Sequence, residues 1–150
     1  MRVSGCVIVS LVLGTCAGCD FNLKAASFEE EKKAALVALD DFHRRLSDAQ
    51  FEAIYENTSD SLRAQPKEQF VTVMKQTYER WGKLISSKVV SSSCFPNEVR
   101  LLVEAQFEKG VAGEIMVWRI PNKEAHLDHF EIFPGPVKAP GGANECHSRS

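Results

Sequence analysis

The sequence lacks three things that would name a function class at once: a long apolar run, an excess of basic charge, and an internal repeat. A membrane-spanning helix needs about 20 consecutive apolar residues, and the apolar run at residues 3–13 is closed off by Asp20, Asn22 and Lys24. A formal charge of −2 gives no basic footprint for nucleic acid and no polybasic patch for anionic lipid. Gly-rich phosphate loops and a Gly-x-Ser-x-Gly nucleophile elbow are missing, which removes two signatures of nucleotide and ester chemistry. A single Cys-x-x-Cys occurs, at Cys16 and Cys19. Zinc would need a second ligand pair, and a thioredoxin-type redox site would need a strand–helix setting that this stretch does not have. No metal and no cofactor is expected.

What is present describes one exported domain. A chain of 150 residues, 44% hydrophobic and 25% charged, is long enough to bury one core. Arg2, the apolar run and the small residues after it have the order of a secretory signal. The end of that signal, Cys16-Ala17-Gly18-Cys19, resembles a bacterial lipobox. The resemblance implies cleavage after residue 18 and a diacylglycerol, with palmitate-type chains, on Cys19. Ordinary signal-peptide cleavage is the alternative. Lipidation would anchor the chain without a spanning helix, because each buried CH₂ contributes roughly 0.8 kcal/mol and two or more chains hold stably. Residues 1–18 are then a signal peptide, 19–26 the lipidated Cys and its tether, 27–134 the folded domain, and 135–150 a Pro- and Gly-rich mobile tail. Asp20 behind the modified Cys resembles an inner-membrane retention signal. That places the domain on the inner membrane facing the periplasm, with the outer membrane or the cell surface as alternatives.

Two capping boxes, Ser27 to Glu30 and Ser47 to Gln50, predict two helix starts. The stripe Leu36, Leu39, Phe42, His43 and Leu46 predicts an amphipathic first helix. Phe70, Val73, Met74, Thr77 and Trp81 predict a later one between Pro66 and Gly82. From Leu84 the period changes to two. Strands are expected over 84–95, 98–108, 112–120 and 126–133, with turn residues between them. Helices followed by strands predict an α+β fold, with N-terminal helices packed on one face of a bent, four-stranded antiparallel sheet. With Phe51-Glu52-Ala53-Ile54-Tyr55, the helix ending in Trp81-Gly82 and the closing 129–134 segment His-Phe-Glu-Ile-Phe-Pro, this order resembles the nuclear transport factor 2-like (cystatin-like) α+β cone. More narrowly, it is similar to small bacterial lipoproteins that carry such a domain. The resemblance implies a sheet bent around a pocket, a scaffold used by ketosteroid isomerase-like enzymes and by binding or dimerisation domains alike.

Candidate chemistry is sparse. Cys94 and Cys146 remain after processing, and an even pair in an oxidising compartment suggests a disulfide, with free thiols or pairing to another chain as alternatives. His126 and Asp128 would share one face of a regular strand, Leu127 and His129 the other. That leaves a His126–Asp128 acid–base pair open and argues against one metal held by both histidines. Asp40, Asp41 and His43 on the first helix are further places for a general base. Trp81, Trp118, Phe107, Phe130 and Tyr55 are expected in the core, with a pocket lining as the alternative. The leading expectation is a non-enzymatic binding or assembly role. Its partners would be the membrane through the anchor, a second copy or an envelope protein, or a small ligand. An isomerase- or dehydratase-like enzyme and a structural dimer are the competing readings.

Overall fold

The computed structural model describes residues 28–138 and Cys146. The first capping box falls partly on Ser27, and the lipobox wholly on residues outside that range. Helix α1 (Glu29–Ser47) carries Glu29, Glu30 and Glu31 in its first turn and Arg44 and Arg45 in its last, matching the helix dipole at both ends. Ala35, Leu39, Phe42, His43 and Leu46 form its buried stripe.

The second capping box does not form. Ser47 ends α1, and Gln50, without a side-chain cap bond, precedes α2 (Phe51–Glu56). The chain closes α1 instead by a Schellman arrangement: Gln50 N–H donates to Arg45 O and Ala49 N–H to Leu46 O. This requires a left-handed residue, and Ala49 takes that conformation at φ 54°. Ser47 Oγ is left to accept a bond from Leu84 N–H. A short α3 (Asp60–Arg63), capped by Ser59, follows. Helix α4 (Lys67–Trp81) runs from Pro66 to Gly82, the latter at φ 77°. It buries Val71 where the stripe predicted Val73, which is exposed.

Strands β1 (Leu84–Phe95), β2 (Glu98–Phe107), β3 (Gly110–Arg119) and β4 (His126–Pro134) form an antiparallel meander in the order β1-β2-β3-β4. The α+β expectation is met, with the helices preceding an open four-stranded sheet. Val99, Leu101, Val103, Ala105 and Phe107 alternate inward on β2, and Ala112, Glu114, Met116 and Trp118 on β3. The apolar members of both rows join the helix stripes in one core.

A bulge interrupts β3–β4. Val117 opposes His129, but Trp118 opposes Leu127, so Asp128 is the extra residue. Opposed residues share a face. Leu127 therefore lies inward beside Trp118, and His129 outward beside Val117, not on one face as regular alternation would have it. The chain after β4 is held rather than loose at its start. Gly135 N–H donates to Val111 O and Val137 N–H to Glu104 Oε2, on the sheet face away from the helices. Phe133 fills the space over Gly113, where a Cβ would fall 2.4 Å from its ring. Farther along, the sulfurs of Cys146 and Cys94 lie at bonding distance with their Cα atoms 5.2 Å apart, tying the tail to β1.

Candidate functional site

Two places on the helix-facing side of the sheet hold polar groups that the core alone does not require. The first is central. His43 projects from α1 and Glu114 from β3, and their Nε2 and Oε2 atoms lie 2.7 Å apart. The side chains are 3% and 0% exposed. Each keeps one atom, His43 Nδ1 and Glu114 Oε1, buried without a hydrogen-bond partner among the described residues. Leaving water is expensive for a carboxylate, and a partner at this distance offsets that cost. The pair is sealed by the apolar side chains around it.

The second place is open. A groove of about 930 Å³ runs between α1, the end of α2 and the start of β4, within the size range of small-molecule sites. Ala34, Val37, Ala38, Phe42, Ile54, Trp118 and Leu127 give it an apolar lining, with Glu30, Lys33, Asp41, Arg45, Lys123 and Glu124 also on its walls. Local folding explains its shape. Leu127 N–H donates to Asn57 O and Ser59 N–H to Leu127 O, pinning the loop after α2 to the first residues of β4. A 3₁₀ turn, Pro121–Lys123, brings Lys123 Nζ within 2.7 Å of Glu30 at the start of α1.

Most of the wall charges are already paired. Asp41 accepts a hydrogen bond from Arg44 and forms an ion pair with Arg45, whose Nε lies 2.5 Å away. Partial burial pushes the Asp41 pKa up, but the two guanidinium groups outweigh it and hold the carboxyl below its ordinary range. The hydrogen bond and charge of Lys123 likewise lower Glu30. Asp40 points to solvent. Asp128 accepts from Ser59 Oγ at 2.5 Å and from Arg119 Nε at 3.1 Å. The nearest carboxylate to His126 is Glu124, at 3.9 Å. No hydrogen bond joins His126 to Asp128 among the described residues, so the two do not form the acid–base pair their spacing suggested.

Trp118, His126 and Arg45 each bury one polar atom on the groove without a hydrogen-bond partner among the described residues, the Arg45 Nε lying at ion-pair distance from Asp41. Trp118 is 3% exposed, and its Nε1 has no acceptor among the described residues; His126 Nδ1 is likewise buried and unpartnered. Cross-strand register sets the two apart: Trp118 opposes Leu127 on the inward face and His126 opposes Arg119 on the outward one, so His126 meets the groove from the first residue of β4. Of the other aromatics, Trp81 and Phe107 lie in the core, in contact with each other. Tyr55 donates its hydroxyl to the carbonyls of Arg63 and Gln65. Among the described residues no cluster of His, Cys, Asp and Glu is arranged to hold a metal.

Glu114 was not singled out by sequence. Its signal was nevertheless there: it shares strand parity with Ala112, Met116 and Trp118, and a histidine on an apolar helical stripe calls for a partner. No protein-family model matches the chain, and no curated protein sequence does.

Proposed function

We propose that the mature chain is a lipid-anchored, non-enzymatic binding domain exposed to an oxidising compartment, and that the open groove beside α1 is where it binds. The observation that carries this reading is the groove itself: an apolar lining with charged walls, in which two of the three carboxylates, Asp41 and Glu30, are held by arginine or lysine. An ionised, salt-bridged Asp41 is a weak proton acceptor, and Asp128 is engaged by Ser59 and Arg119. These features favour holding a ligand over moving a proton.

The anchor reading rests on the lipobox-like residues ending in Cys19, and the Cys94–Cys146 pair agrees with export. Among the described residues no helix is long and apolar enough to cross a membrane, so attachment would fall to the modified Cys. Two experiments test the proposal. In cell fractionation the native chain should follow the membrane and Cys19→Ser should become soluble; a membrane-bound Cys19→Ser would reject the anchor. The apolar dye anilinonaphthalene sulfonate should bind the native domain and lose affinity for Ala38→Trp, which fills the groove. Equal dye binding by both would reject the groove as the site.

A further inference from the structure

We infer that the groove selects a molecule with an aliphatic body and one hydrogen-bond acceptor, a carboxylate or ketone oxygen, which takes the indole N–H of Trp118. This rests on the groove being the binding site and adds the chemistry it reads. A buried N–H without a partner costs free energy that an apolar replacement would avoid. Phenylalanine would fill an apolar wall with no such penalty. A tryptophan at 3% exposure, with Nε1 buried and unpartnered among the described residues and the residue part of the groove lining, suits a ligand acceptor that reaches the indole as the side chains around it adjust.

The His126 ring on the neighbouring strand has the same property at Nδ1. It supplies a second contact, donating when that nitrogen carries the proton. The apolar part of the lining, Val37, Ala38, Phe42 and Ile54, suits an alkyl chain. Charge adds little, because Arg45 and Lys123 are paired with Asp41 and Glu30 and the other two wall charges, Lys33 and Glu124, are of opposite sign. The acceptor, not the ligand's net charge, is therefore what the site distinguishes.

The test is calorimetry on the disulfide-bonded domain with three ligands of similar chain length, each below its micelle threshold: octanoate, methyl hexyl ketone and octyltrimethylammonium. Octanoate and the ketone should bind, and the acceptor-less cation should bind at least about tenfold more weakly, the discrimination one buried hydrogen bond gives. Trp118→Phe should weaken octanoate about tenfold and leave the cation unchanged. If the cation binds as tightly as octanoate, the acceptor assignment falls while the groove remains a binding site. If octanoate binds and the ketone does not, charge selects, and the assignment falls again. Failure of all three to bind, together with no dye binding, overturns both the inference and the function it rests on. The three-ligand comparison on the native chain stands even if Trp118→Phe does not fold.

Discussion

The centre of the sheet and the mouth of the groove both bury nitrogen atoms without full complements of partners, yet they do so in opposite ways. At the centre, His43 and Glu114 face each other at 2.7 Å inside a closed apolar shell. At the groove, Trp118 and His126 sit on a wall with no protein group answering them among the described residues. The difference separates support from recognition. A polar pair whose members answer each other through one bond holds α1 against β3, whereas polar atoms with no protein partner among the described residues, beside an open groove, are in the proposed reading kept for a ligand.

The largest effect should come from breaking the central pair. Glu114→Ala leaves His43 buried alone and should cost about 3–5 kcal/mol in urea unfolding, whereas the double replacement His43→Leu with Glu114→Met should recover most of that loss. A single substitution costing under about 1 kcal/mol would contradict a supporting role for the pair. Next comes the tail, remote from both places. Cys94→Ser should lower stability by about 2–4 kcal/mol and leave groove affinity as it was; a loss of binding would show that the bridge also shapes the groove.

Smaller effects sharpen the contrast. Ala49→Gly relieves a left-handed alanine at the end of α1 and should raise stability by about 1 kcal/mol, read as a higher Tm. His126→Ala removes a side chain that makes no hydrogen bond among the described residues and should cost no more than about 1 kcal/mol, while weakening octanoate. If it destabilises as much as Glu114→Ala, the two regions do not differ as described.

The smallest effect is on acid stability. The Asp41 carboxyl titrates lower when folded than when unfolded, so its contribution is fully present above its ordinary value of 3.8. That contribution is lost as pH falls from there through the folded value. Asp41→Asn should flatten this part of the acid-unfolding curve, and an unchanged curve would reject the role given to Arg44 and Arg45.

Much of the fold was legible because it is written in local periods. The α1 stripe, the Pro66 and Gly82 boundaries of α4 and the alternation along β2 each need only a few adjacent residues. What escaped depends on partners distant in sequence. Ser47 fits a capping box, but Ala49 closes the preceding helix first, and a local motif cannot weigh the two. The bulge at Asp128 is a register event between strands, so regular alternation assigned His129 to the wrong face. His43 was visible on its stripe, whereas its partner lies 71 residues away among Ala, Gly, Ile and Met. Trp118 was readable as core or pocket wall, and only the third dimension shows that it is buried and, among the described residues, unpartnered at once.

The most direct measurement follows the two indole N–H resonances of the native domain, Trp81 and Trp118, as octanoate is added. The account predicts that the Trp118 signal alone moves downfield, as a new hydrogen bond requires, while Trp81 stays in place. Saturable octanoate binding with a stationary Trp118 signal, or with Trp81 moving instead, would contradict it.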